Sequence, residues 1–116
     1  MIDLTPYLAD LNSTGRGWQD SYWHNDACQS VHFEYSDTAR MKLWIDSPDP
    51  SERECNCGGR FVLVWEDDDA ERDTDVMLIT DDWQAIVALV GETNATIKHW
   101  QDHGKEWHGW DGKKHR

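Results

Sequence analysis

The sequence predicts an α+β fold: a four-stranded antiparallel meander sheet with a short N-terminal helix and a longer C-terminal helix packed on it. Three observations predict it. Two neighbouring segments alternate apolar and polar residues. A third is apolar on both faces. Helix-period patterns flank the strands on both sides. The chain has 116 residues, enough for one domain, with residues 1–104 as that domain and 105–116 as a polar, Trp-containing C-terminal tail. Only 38% of residues are hydrophobic and 29% are charged, but eight Trp, three Tyr and two Phe supply large apolar surfaces from which a core can be built.

Thr5-Pro6 opens the first helix, with Thr5 as N-cap and Pro6 at the first helical position; Tyr7, Leu8 and Leu11 form its apolar stripe. Asn12 to Gly17 ends it with turn residues. Residues 18–27 fit either a loop or one helical turn. From Cys28 to Ser36, Val31, Phe33 and Tyr35 alternate with Ser30, His32 and Glu34. From Arg40 to Asp46, Met41, Leu43 and Ile45 alternate with Lys42, Trp44 and Asp46, and Ser36-Asp37-Thr38 turns one strand into the other. Pro48 and Pro50 make the next segment a loop, because proline cannot donate to a ladder. Arg60 to Glu66 is apolar on both faces and suits a central strand; Val76 to Thr80 supplies the fourth. Asp81 can cap the last helix, whose stripe is Trp83, Ile86, Val87, Val90, Ile97 and Trp100. Gly91 and the polar run Thr93 to Thr96 weaken its middle, so the pattern also fits two helices. Successive strands usually pair, which makes the sheet a meander. Its second face, with Trp44, Val62 and Val64, then needs a cover, from the chain's own tail or from a second copy in a homodimer.

Charge is the most specific functional signal. The chain carries 23 Asp and Glu against 11 Lys and Arg, a formal charge of −12. Direct nucleic-acid binding is disfavoured, since phosphates are neutralised by Lys and Arg. No apolar run approaches the roughly 20 residues of a membrane span, and the amino terminus lacks the basic and apolar regions of a secretory signal. Three cysteines cannot all pair within one chain, so a reducing, cytoplasmic setting is expected. Residues 66–75 hold seven acids, Glu66, Asp67, Asp68, Asp69, Glu71, Asp73 and Asp75, against the one base Arg72. Like charges stacked at a turn oppose folding but steer association with a cationic surface. A calcium loop would want Gly and Glu where Arg72 and Leu78 stand. In a meander, the loop holding Asp46, Asp49, Glu52 and Glu54 and the exit at Asp81 and Asp82 share one end of the sheet. The acidic tip occupies the other end, giving spaced negative charge of the kind a nucleic-acid mimic presents.

The expected function is therefore binding without a cofactor, not catalysis. The chain would be a small acidic inhibitor of a basic nucleic-acid-binding or nuclease-type protein, as phage anti-defence and anti-CRISPR factors, DNA mimics and immunity proteins are. The seven tip acids would meet the partner's Lys and Arg, with Trp44 or Trp110 as apolar anchor. Two alternatives compete. His24, Cys28, His32, Cys55 and Cys57 supply zinc-type ligands at poor spacing, Cys28, His32, Cys55 and Cys57 being the narrower set. Trp18, Tyr22, Trp23, Trp107 and Trp110 lie outside apolar stripes and could form a glycan-binding surface. His99 and His103 lie on neighbouring turns but lack the His-Glu-x-x-His arrangement of a metalloprotease, and no nucleophile elbow or phosphate loop is present.

Overall fold

A computed structural model describes residues 3–15, 17–21, 29–49, 51, 58–67 and 74–104. The described elements are α1 (Thr5–Thr14), β1 (Trp18–Asp20), β2 (Gln29–Glu34), β3 (Ala39–Ile45), β4 (Phe61–Asp67), β5 (Thr74–Thr80) and α2 (Trp83–Asp102). The sheet is an antiparallel meander in the order β1-β2-β3-β4-β5, so it has five strands where four were expected. The additional strand is β1. Three residues are too few to show an alternating pattern, and its backbone is held in part by a side chain. The amide of Asn12 accepts from Trp18 N at 2.9 Å and donates to Trp18 O at 3.2 Å, standing in for a strand neighbour. Trp18 itself is buried and pairs with Phe33 across the ladder, which removes it from the exposed aromatic set.

Antiparallel register puts directly opposed residues on one face. Met41 opposes Trp65, Leu43 opposes Leu63 and Ile45 opposes Phe61, and all six are buried. Leu11, Ile86 and Val90 from the two helices close over them, so one sheet face and both helices share a single core. A register shift at Leu63/Val64 leaves Met77 as the extra residue of β5. This bulge is why adjacent Met77 and Leu78 both pack on the core, while Val76 and Ile79 point to the second face.

The helix ends differ in detail from the expected caps. Thr5 is already the first helical residue of α1, and Leu4 precedes it. Asp3 accepts from Thr5 N at 3.0 Å, and that backbone hydrogen bond holds its carboxyl below the usual range. In α2 the cap is Asp82, which accepts from Gln84 N at 3.0 Å. Asp81 instead accepts from Arg60 N at 2.8 Å, tying the start of β4 to the end of β5. Asp82→Ala is expected to cost about 1 kcal/mol, read as a lower urea midpoint at constant slope. Helix α2 runs unbroken because its polar middle is satisfied internally. Thr93 donates to Leu89 O and Thr96 to Glu92 O, while Asn94 donates to Thr14 of α1. Gly91 faces Thr14 of α1, and a methyl group there would make only an ordinary contact with it at 3.9 Å.

Arg60 ties the end of the sheet to α1. Its side chain donates to Asp46 O and to the Tyr7 hydroxyl, and its guanidinium lies 4.8 Å from the centre of the Phe61 ring. Among the described residues no helix is long and apolar enough to cross a membrane.

Candidate functional site

Both helices occupy one face of the sheet, so the polar half of the strand alternation falls on the other. The hairpin turn sets the register: Ser36 Oγ accepts from Ala39 N at 3.1 Å, and Tyr35 N and Ser36 N both donate to Ala39 O. That turn places Glu34 opposite Arg40 and His32 opposite Lys42, with Arg40 in turn opposite Glu66. The next row is Ser30, Trp44, Val62 and Ile79. A polar strip thus crosses the sheet beside an apolar one, and Lys42 joins them, its Nζ lying 4.3 Å from the centre of the Trp44 ring. Val76 and Ile79 are 56% and 43% exposed, while Val62 and Val64 are buried.

A cleft of about 410 Å³ lies in the polar strip, lined by Ser21, His32, Glu34, Arg40, Lys42 and Glu66. Arg40 is its centre. Nη1 donates to Glu66 at 3.2 Å, and Nε stands 3.8 Å from Glu34. Ser21 enters from the end of β1, where its N–H donates to Ser30 O. Its Oγ lies 2.8 Å from His32 Nδ1, and His32 Nε2 lies 3.6 Å from Glu34 Oε1. The direction of the Ser21–His32 hydrogen bond depends on the ring's tautomer; with the proton on Nε2, the nitrogen facing Glu34, Nδ1 accepts from the Ser21 hydroxyl.

The residues expected to meet a partner are divided by this geometry. Glu66 and Trp44 share the second face. Asp67 opposes Ala39 and Asp75 opposes Trp65, which puts both on the helix side of the ladder at the sheet's end. Asp68, Asp69, Glu71, Asp73 and Trp110 lie outside the described residues, as do His24, Cys28, Cys55 and Cys57 of the zinc alternative and Tyr22, Trp23 and Trp107 of the glycan alternative. His32, the described member of the zinc set, has its ring nitrogens directed at Ser21 and Glu34. Among the described residues no group of three or more His, Cys, Asp or Glu could hold a metal ion. The His99 and His103 rings lie with centres 4.3 Å apart and planes tilted by 42°, and His103 Nδ1 lies 2.8 Å from His99 O.

Charge is distributed as the meander dictates. At one end of the sheet stand exposed Asp20, Asp49, Asp81 and Asp82; at the other stand Glu34, Asp37, Glu66, Asp67 and Asp75. A seven-residue strand separates the two ends by about 20 Å. The described residues include fourteen acids but only four Lys and Arg, and three of those four are engaged: Arg40 with Glu66, Lys42 on Trp44, Arg60 with Tyr7.

The sequence singled out Glu66, Trp44 and His32 but not Ser21, Glu34, Arg40 or Lys42. Glu34, Arg40 and Lys42 belong to the polar half of the alternation, whereas Ser21 follows β1 and has no periodic signal. Combining that alternation with the tight turn at 36–38 would have aligned Glu34, Arg40 and Lys42 with His32. Comparison with known proteins finds no family model, curated protein or solved structure that matches this chain.

Proposed function

We propose that the chain is a small acidic binding protein that inhibits a basic macromolecule of the nucleic-acid-binding or nuclease type, as phage anti-defence and anti-CRISPR factors, DNA mimics and immunity proteins do. One observation carries this reading: acids gather at both ends of a single sheet, and most of the described basic side chains are held by the chain's own groups. The potential around such a body is negative at two places about 20 Å apart. Between them the second face offers Trp44, Val76 and Ile79, the apolar surface that a desolvated contact needs. Inhibition would be steric and electrostatic, with the acids occupying a site otherwise filled by phosphates. The partner is accordingly a basic protein, met in the cytoplasm, with neither nucleic acid nor membrane contacted directly.

The test is capture from lysate on immobilised chain at low and at high salt, followed by affinity measurement with the protein retained. A basic partner released by salt is the expected result. The triple variant Asp67→Asn, Asp68→Asn, Asp69→Asn should weaken binding and flatten its salt dependence, because fewer charges are screened. Equal affinity of variant and parent, or a captured partner without a basic surface, overturns the reading.

A further inference from the structure

The second face also contains an arrangement that an electrostatic inhibitor does not require. Ser21, His32 and Glu34 form a relay of hydroxyl, imidazole and carboxylate, with spacings of 2.8 Å and 3.6 Å, in the wall of a cleft of about 410 Å³. From this we infer that Ser21 is an activated nucleophile and that the cleft takes small carboxylic esters.

The chemistry follows from where the protons sit. Glu34 orients the ring and favours the tautomer with the proton on Nε2. The lone pair of Nδ1 therefore faces the Ser21 hydroxyl, as a general base must. The ring is 19% exposed and backed by the sheet, so its orientation is supported by packing as well as by the two polar contacts. Lys42, directly across the ladder from His32, and Arg40 beside it line the same cleft. Lys42 brings positive charge to where an oxyanion would develop, while Arg40 is held between Glu34 and Glu66, so the charges lining the cleft balance. In the acylation step Ser21 Oγ adds to the ester carbonyl carbon as its proton passes to His32 Nδ1. Collapse of the tetrahedral adduct breaks the bond to the alkoxide, which leaves with that proton. Water, deprotonated by the same nitrogen, then cleaves the acyl-serine and restores the free hydroxyl.

The experiment is labelling of the full chain with a fluorophosphonate probe, located by peptide mass mapping. Stoichiometric adduct on Ser21 is expected, absent in Ser21→Ala. Its rate should fall by about 10²-fold or more in His32→Gln, the range for loss of a general base. Circular dichroism checks that the variants fold. Glu34→Gln, at a carboxylate whose side chain is 48% exposed, gives the same test should His32→Gln not fold, with a smaller fall in rate. Hydrolysis of 4-nitrophenyl acetate reads the substrate class, and turnover that is lost in Ser21→Ala is expected. No adduct on Ser21, or labelling at an equal rate in His32→Gln and Glu34→Gln, overturns the inference, because Ser21 would then be an ordinary accessible hydroxyl. Equal hydrolysis by the parent and Ser21→Ala overturns the substrate class.

Discussion

Phe61→Ala is expected to lower the unfolding free energy by about 4 kcal/mol, a large part of the roughly 5–15 kcal/mol that holds a domain of this size together. Phe61 is fully buried at the start of β4, opposite Ile45 on one side and Thr80 on the other. Its ring is 6.0 Å from Tyr7 of α1 and 5.2 Å from Trp83 of α2, so one side chain joins both helices to the sheet. Truncation removes the transfer free energy of the ring and leaves a void between elements that other contacts hold in place. Arg60 would suffer as well, since its guanidinium stacks over the same ring while donating to Tyr7. The measurement is a urea titration, read as a shift in midpoint at constant slope. Phe61→Leu fills most of the volume and should cost well under half as much. A shift of less than about 1 kcal/mol for Phe61→Ala would show that the site collapses freely and that the two helices are anchored elsewhere.

The residues that determine this core were legible because each repeats with the period of its element. Met41, Leu43 and Ile45 alternate, Leu11 and Ile86 sit on helical stripes, and the apolar run at 61–65 was recognisably a strand buried on both sides. What escaped was held by contacts between distant residues. Strand β1 depends on the Asn12 amide and on Phe33, neither of which leaves a periodic trace at residues 18–20. For the same reason nothing in the sequence around Trp18 marks it as buried. The choice between Asp81 and Asp82 as cap depended on Arg60, twenty-one residues upstream of Asp81, whose N–H recruits the first of the two carboxylates. The continuity of α2 depended on hydroxyls that bond back to the preceding turn, which composition alone counts as helix-weakening. For the candidate site, individual residue types were visible but their assembly was not. Ser21, His32, Arg40 and Glu66 come from four segments, and only the ladder register brings them to one cleft.

Trp44→Ala is expected to raise the dissociation constant for the basic partner about 30-fold or more, corresponding to at least 2 kcal/mol for an aromatic hot spot. The loss should appear almost wholly in the dissociation rate. Trp44 stands on the second face between Ser30 and Val62 in its cross-strand row, with Lys42 over its ring, and Val76 and Ile79 continue the apolar surface towards the β5 edge. A partner that covers this face desolvates the indole, and removing it leaves a gap that shortens the lifetime of the complex. The acids at the tip act at a different stage. They draw the partner in from a distance of about a Debye length, so their neutralisation slows association and reduces its dependence on salt. The two kinds of substitution therefore separate kinetically. Trp44→Ala should change the off-rate while keeping the salt slope, and Asp67→Asn, Asp68→Asn, Asp69→Asn should change the on-rate and the slope together. A urea midpoint measured on Trp44→Ala checks that the fold is retained, as it should be for a side chain outside the core. An unaltered off-rate in Trp44→Ala would move the contact away from the second face. The acidic ends of the sheet would then have to account for the residence time as well as the encounter, which exposed, screened charges do poorly.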